Sequence, residues 1–238
     1  IIFSETECVS AGTFTQNSVV SPSVTWTKEV LREKKLRAVV VNSGCANCAV
    51  GNQGYLDAKE TAKIASNSLS IDLESIAVAS TGIIGVELPM ALMRKYIPKI
   101  ELSKNDGPGF ARSILTTDKR TKEIAVSFDH EGSEITVAGV AKGSGMIHPN
   151  MATMLSFITS DISIDETTLR EVLTLSVNKS FNQISVDGDQ STNDTVLAMA
   201  NGEAQNNKIT SLEDASVFQE AMDQVCIFLA KELSLIHI

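Results

Sequence analysis

The sequence predicts a mixed α/β fold of the α+β type, with helices layered on a β-sheet. Short apolar runs suited to buried strands alternate with segments whose apolar residues recur at helical spacing. Two β-rich runs flank a short turn at residues 130–132, as in a hairpin. The chain has 238 residues, which is long enough to enclose a sizeable core.

The first half of the chain is predicted to contain two buried strands and four helices. Residues 36–41 are apolar apart from Arg37, and residues 76–79 are wholly apolar, so both segments suit buried strands. Residues 57–69 carry alanines at helical spacing. The remaining helices are predicted at 25–35, 88–97 and 109–115.

The second half begins with the hairpin and ends with a helix. Its predicted strands are 123–128, 134–140, 154–158 and 196–199. A capping box formed by Ser163 and Glu166 predicts the start of a helix, and the last helix is predicted over 216–233. The apolar stripe of the capped helix consists of Leu169, Val172, Leu173 and Val177. No linker rich in Pro, Gly or Ser divides the chain, so we expect one compact catalytic core over residues 1–238.

The charge balance argues against two classes of partner. There are 20 Lys and Arg residues against 29 Asp and Glu, a net charge of −9. Nucleic-acid binding needs a basic footprint, so we expect no nucleic-acid partner. We also expect no membrane partner, because the most apolar stretch, 76–93, contains Glu87 and Pro89. With no signal-peptide pattern, the expected location is cytoplasmic.

Four cysteines occur, and Cys45 and Cys48 form a Cys-x-x-Cys pair. Such a pair suits a redox site or half of a zinc site. The other two cysteines are isolated, and glycines surround the pair, so we favour reduced thiols in a loop. We expect no bound metal and no cofactor.

The Ala152–Thr153 bond is the most suggestive feature chemically. A threonine hydroxyl is a poor nucleophile until a base lies beside it, and its own α-amine becomes such a base once the preceding bond is cut. Gly143, Gly145 and Pro149 permit a strained bend before this bond. On local pattern alone, a glycine-rich turn entering a buried strand is the simpler interpretation.

Two other segments are ambiguous when taken alone. Residues 80–85 follow a buried strand, where a Thr hydroxyl and backbone N–H groups can form an oxyanion hole, although Thr-Gly is also a common turn. Residues 187–193 resemble the start of a calcium loop, but the sixth and twelfth positions of that loop are Thr192 and Ala198, where Gly and Glu are needed. Two interpretations of that segment remain: a polar turn before a strand, or a supporting part of an active site.

Taken together, the motifs resemble one family, the ornithine acetyltransferases, which are the bifunctional glutamate N-acetyltransferases of arginine biosynthesis. The resemblance runs from about residue 10 to about residue 232. Its motifs, in order, are Asn42-Ser-Gly44 with Ala46-Asn47, Ser80-Thr-Gly82 with Gly85, Thr116-Thr-Asp118, Lys142-Gly-Ser-Gly-Met-Ile147, Pro149-Asn-Met-Ala-Thr-Met-Leu155, and Ser185-Val-Asp-Gly-Asp189 with Ser191-Thr-Asn-Asp194.

The resemblance implies a self-cleaving enzyme with the layered core of that family. Cleavage between Ala152 and Thr153 would give an α chain of residues 1–152 and a β chain from 153 to 238. Thr153 would carry the acetyl group from N2-acetyl-L-ornithine to L-glutamate in a ping-pong reaction, and acetyl-CoA is a further possible donor. Two α and two β chains would form a heterotetramer.

The same resemblance assigns roles to individual residues. Thr81 and Gly82 match the oxyanion-hole pair, so the catalytic residues would be Thr153, Thr81 and Gly82. Thr116, Lys142 and Thr153 match substrate-binding residues, and a lysine cation suits a substrate carboxylate. The chain begins inside the family pattern and stops before its end, and residues 233–238 match nothing expected, so it resembles a fragment. The rival interpretations are a related self-processing amidase or aminopeptidase, and an inactive, uncleaved fragment.

Overall fold

The computed structural model describes residues 1–33, 35–145, 154–185 and 190–234. It contains seven strands and six helices within those ranges. The strands are β1 (Ile2–Phe14), β2 (Leu36–Cys45), β3 (Ile76–Ile83), β4 (Lys122–His130), β5 (Ser133–Lys142), β6 (Leu155–Ser160) and β7 (Thr195–Ala200). The helices are α1 (Pro22–Glu33), α2 (Gln53–Leu69), α3 (Met90–Tyr96), α4 (Gly107–Ser113), α5 (Glu166–Lys179) and α6 (Ser216–Ser234). The mixed α/β prediction is therefore confirmed.

The described strands pair in the order β3-β2-β1-β7-β6-β5-β4. The pairs β2–β3 and β6–β7 are parallel, and the other four are antiparallel. β1 pairs with β2 through its first half and with β7 through its second half, with a register shift between Phe3 and Cys8. β1 thereby connects the β3–β2 part of the sheet to the part formed by β7, β6, β5 and β4.

The apolar side chains pack in two large clusters. One lies between α5, α6 and one face of β5, β6 and β7, and includes Ile158 and Val196. The other contains Leu155, Phe157 and Leu197, which alternate with the first set along β6 and β7 and therefore point to the opposite face. These residues pack with β2, β3, α1 and α2. The carboxyl ends of β3 and β5 are thereby brought together, although four strands separate them in the pairing order.

Helix α1 covers the outer edge of β3. Trp26 Nε1 donates to the carbonyl of Ile76 at 3.0 Å. Thr27 Oγ1 donates to the carbonyl of Val78 at 2.7 Å and accepts from its N–H at 2.9 Å. An edge strand otherwise leaves such groups unpaired, so these contacts stabilise the strand that carries Thr81.

The structure differs from the sequence prediction at two elements. β1 was not predicted, because its first half is rich in Ser, Thr and Glu and lacks an apolar run. The capping box at Ser163 is wrong: α5 is capped by Asp165, whose side chain accepts from Thr168 N at 3.0 Å.

The strands on either side of residues 152 and 153 share one sheet. β6 and β7 come after them in the chain, and both lie between β5 and β1, which come before them. A break in the chain at that point would leave both pieces hydrogen-bonded to each other along two strand pairs.

Candidate active site

A buried lysine ammonium meets two threonine hydroxyls where β3 and β5 end. Lys142, the last residue of β5, is 2% exposed. Its Nζ donates to Thr81 Oγ1 on β3 and to Thr116 Oγ1 in the segment after α4, each at 3.0 Å. Thr81 is buried, whereas Thr116 lies at the surface. The cation therefore lies just below the surface, and neutral hydroxyls are its hydrogen-bond partners among the described residues.

The charge of Lys142 is only partly balanced by its surroundings. Burial lowers the pKa of Lys142, and the carboxylates of Asp118 and Asp194 oppose that shift. Neither carboxylate forms an ion pair with Nζ among the described residues. A buried ammonium in this setting is suited to an anionic group of a ligand.

The Asp118 carboxylate connects the start of β4 to the residue that follows β5. Its Oδ1 accepts from Gly143 N at 2.7 Å and from Lys122 Nζ at 2.5 Å. Burial alone would raise the pKa of Asp118, but the bonds from Lys122 and Gly143 hold it below its ordinary value. The carboxylate therefore stays ionised and fixes the residue that follows Lys142.

Gly82 lies where the ends of β2 and β3 approach each other. Its φ is +133°, and a Cβ at this position would lie 2.1 Å from the carbonyl carbon of Gly44. Gly44 is its register partner in the parallel pair and also has a positive φ, +106°. Only glycine satisfies both the torsion and the contact at position 82.

Two neighbouring polar residues before β7 complete the region. Asn193 Nδ2 donates to the carbonyls of Ala46 at 2.6 Å and Ser80 at 2.8 Å. Asp194 Oδ1 accepts from Met154 N at 2.9 Å. Both residues are buried. They therefore link β7 to the residue before Thr81 and to the residue after Thr153.

Asp194 is an unusual carboxyl group. It is fully buried, and its Oδ2 has no hydrogen-bond partner among the described residues. Burial raises the pKa of Asp194 to about 7, against the opposing effects of Met154 N–H, the Ser191 side chain and Lys142. The sequence motif contains this residue, but nothing in the local pattern marks it as part of a site.

The structure brings together the predicted residues that it describes. Thr81, Thr116 and Lys142 are in contact, and Gly82 follows Thr81 directly. Ala152 and Thr153 lie outside the described residues, as do positions 187–189 of the calcium-like segment. Met154, the residue next to Thr153, is described and buried.

The cysteine pair has a structural setting. Cys45 ends β2, and its thiol donates to the carbonyl of Val86 at 3.0 Å. Cys48 is completely buried, and all four cysteines are free thiols. Within the described residues, no three His, Cys, Asp or Glu side chains are placed to hold a metal ion. None of the described helices is long and apolar enough to cross a membrane.

Curated relatives match almost the whole chain. A protein of Oceanobacillus iheyensis named "Arginine biosynthesis bifunctional protein ArgJ" is 45% identical over 235 residues, which is 98% of this chain and 58% of the relative. The protein of the same name from Thermotoga neapolitana is 46% identical over 98% of this chain and 60% of the relative. The chain thus spans about three fifths of the length of these relatives.

Solved structures of proteins with similar names also resemble this chain. The bifunctional ArgJ protein of Bacillus halodurans superposes with a TM-score of 0.61 and 38% identity, over 63% of this chain and 80% of that one. The ornithine acetyltransferase of Mycobacterium tuberculosis, solved with ornithine, gives a TM-score of 0.56 and 34% identity over 61% and 78%. An aminopeptidase of Ochrobactrum anthropi shares the fold alone, with a TM-score of 0.53, 8% identity and coverage of 97% and 74%.

The family is established by sequence over nearly the full length. The profile described as the ArgJ family matches residues 1–235, and the motifs around Thr81, Thr116 and Lys142 that suggested the resemblance meet at one place in the fold. The chain belongs to the ArgJ family.

Proposed function

We propose that this chain carries the nucleophile-bearing core of an acetyltransferase that moves the acetyl group of N2-acetyl-L-ornithine to L-glutamate. The observation that carries the proposal is the buried Lys142 ammonium, held by Thr81 and Thr116 and not ion-paired among the described residues. An amino-acid substrate supplies the α-carboxylate that such a cation would bind. The relative solved with ornithine supports this class of substrate.

In the proposed reaction, Thr153 is the nucleophile. Its Oγ adds to the acetyl carbonyl, and its proton passes to the Thr153 α-amine. The amide C–N bond then breaks, and the ornithine nitrogen takes that proton as it leaves. The neutral amine of glutamate next attacks the acetyl ester, the proton that its nitrogen loses passes through the Thr153 α-amine to Oγ, and the C–O bond breaks. Thr81 and Gly82 would stabilise the negative oxygen formed in each addition.

The nucleophile would arise by self-cleavage. Thr153 Oγ would attack the Ala152 carbonyl, the C–N bond between the two residues would break, and water would open the resulting ester. Sheet pairing supports this step, because β6 and β7 would stay hydrogen-bonded to β5 and β1 after the break.

The remaining parts of the proposal concern partners and location. The two pieces would assemble as an α2β2 heterotetramer, acetyl-CoA is a second possible acetyl donor, and no cofactor would be needed. The four free thiols suit the reducing cytoplasm.

An acceptor assay tests the proposed function. The protein is incubated with N2-acetyl-L-ornithine labelled in the acetyl group, with and without L-glutamate, and the labelled products are separated. The proposal expects labelled N-acetylglutamate that depends on glutamate. Labelled free acetate as the main product would instead indicate an amidase, the activity class suggested by the shared fold of the Ochrobactrum enzyme. An unchanged substrate together with an uncleaved chain would indicate an inactive fragment.

A further inference from the structure

Asn193 and Asp194 are consecutive residues that hold two separate peptide units of the proposed site. Asn193 Nδ2 donates to the Ser80 carbonyl at 2.8 Å, and Asp194 Oδ1 accepts from Met154 N at 2.9 Å. The Ser80 carbonyl belongs to the same peptide unit as Thr81 N–H. Met154 N belongs to the same peptide unit as the Thr153 carbonyl. Because a peptide unit is planar, the first bond restrains Thr81, and the second fixes the N–H that directly follows Thr153 in the chain.

The two holding groups are themselves fixed. The Asn193 amide has an unambiguous orientation, since its nitrogen faces two carbonyls and its oxygen accepts from Thr192 Oγ1 at 2.6 Å. Two main-chain bonds anchor the peptide unit that follows Asp194: Thr15 N donates to the Asp194 carbonyl at 3.0 Å, and Thr195 N donates to the Met154 carbonyl at 3.2 Å. Adjacent Cα atoms are about 3.8 Å apart, so the two contacts form a short, stiff connection.

We propose that the Asn193–Asp194 dipeptide is a positioning element that sets the separation between the oxyanion-hole residue Thr81 and the nucleophile Thr153. The inference rests on the proposed function, because it assigns a role relative to that nucleophile. Neither side chain needs to touch the substrate. Displacing a reacting group by about 1 Å costs on the order of 10²-fold in rate, so a connection of this kind has a measurable kinetic effect.

The test follows the rate of cleavage between Ala152 and Thr153, which needs no added substrate. Protein freshly made by cell-free synthesis is sampled over time, and the fragment beginning at Thr153 is quantified by mass. Asp194→Asn keeps an oxygen that accepts from Met154 N, whereas Asp194→Leu has a similar volume and no acceptor. We expect Asp194→Leu to slow cleavage by about 10²-fold and Asp194→Asn to remain within about 10-fold of the parent.

Asp161 offers a matched control at the opposite end of β6. It follows the strand, and its Oδ1 accepts from Thr136 N at 2.8 Å, just as Asp194 accepts from the residue preceding the strand. Asp161→Leu removes the same kind of bond away from the site, so the cleavage rate should be unchanged. The thermal midpoints of both leucine variants are measured alongside. Asn193→Ala, which frees the Ser80 carbonyl, should slow cleavage as Asp194→Leu does, and it decides the question if Asp194→Leu does not fold.

The outcomes separate the two proposals. If the parent cleaves and Asp194→Leu or a folded Asn193→Ala cleaves equally fast, the positioning role is wrong. The same holds if Asp161→Leu slows cleavage as much as Asp194→Leu, because a general loss of stability then explains the effect. If the parent chain neither cleaves nor takes an acetyl group, the proposed function itself has failed, and the positioning role fails with it.

Discussion

Lys142 and Thr81 lie 61 positions apart in the chain, and their side chains meet at 3.0 Å in the fold. The contact joins the end of β5 to the end of β3, which four strands separate in the pairing order. The two strand ends meet because β1 joins the β2–β3 pair to the strands β7, β6 and β5, and apolar side chains from both parts of the sheet pack in one cluster. The contact places a buried cation beside the residue proposed to stabilise a negative oxygen.

Replacing Lys142 with Met should weaken substrate binding without weakening the fold. Methionine has a similar length, and the substitution relieves the cost of burying a charge that has no ion pair among the described residues. Loss of a charge-assisted hydrogen bond should raise the half-saturating concentration of N2-acetyl-L-ornithine roughly 10- to 100-fold. Steady-state kinetics and thermal melts measure both effects.

Lys179→Met is the control for that substitution. Lys179 pairs with Asp223 at 2.6 Å on α5 and α6, and it is half exposed. The control removes the same charge from a pair that includes no residue of the proposed site, so the half-saturating concentration should stay within about 2-fold of the parent. Stability should also change little, because exposed ion pairs contribute little. Equal effects of the two variants would remove Lys142 from substrate binding.

Thr81→Ala should lower the transfer rate by about 10²-fold if its hydroxyl stabilises the developing charge. Thr81→Ser keeps the hydroxyl that accepts from Lys142, so most of the rate should return. Single-turnover acetylation of the protein is the measurement. An alanine variant as fast as the parent would rule out the hydroxyl as an oxyanion donor.

Gly82→Ala should destabilise the protein far more than a positive φ alone explains. Gly132 has a φ of +84° and open space where a Cβ would lie, so Gly132→Ala reports the torsional cost, roughly 1–2 kcal/mol. Gly82→Ala adds the contact with Gly44 at 2.1 Å, which backbone movement must relieve. Chemical denaturation should show the larger loss for Gly82→Ala; equal losses would contradict the close approach of β2 and β3.

The pKa of Asp194 predicts how stability depends on pH. Its folded-state pKa is raised from 3.8 to about 7, so between these values the folded protein binds the proton more tightly than the unfolded chain. The contribution of that proton to the free energy of unfolding is complete below pH 4 and is lost as the pH rises through 7. The total loss is on the order of 4 kcal/mol. Lys142 is the charged group that opposes the shift.

Asp194→Asn removes this titration. The free energy of unfolding of the variant relative to the parent should therefore improve between pH 5 and about pH 7 and then level off, as measured by denaturant unfolding at each pH from 5 to 8. A constant difference between the two proteins over that range would show that Asp194 keeps one protonation state there, which would contradict a pKa of about 7.

Sequence reasoning was most successful where local physics dominates. The apolar runs at 36–41 and 76–79 lie within β2 and β3, and the alanines of 57–69 face the core from α2. It failed for β1, whose polar first half gains its pairing only from β2, with register partners that lie 28 to 37 residues away in the chain. The cap of α5 was misplaced by two residues because Ser163 and Asp165 both suit an N-cap.

For the candidate site as well, the sequence indicates individual residues but not the contacts between them. Thr81, Thr116 and Lys142 could be selected as residues, but only the fold shows that they touch. Asn193 and Asp194 act on groups 113 and 40 residues away, so no local pattern reveals their partners. The available signal was a polar run, 191–194, placed directly before the wholly buried strand β7.

We propose above that Thr153 becomes an N-terminal nucleophile that carries the acetyl group. The most direct measurement is the intact mass of the protein after incubation with N2-acetyl-L-ornithine alone, followed by fragmentation to locate the modification. We expect two pieces that divide between Ala152 and Thr153, with a single acetyl group on Thr153 of the second piece, and neither change in Thr153→Ala. A single intact chain, an acetyl group on another residue, or cleavage that persists in Thr153→Ala would contradict it.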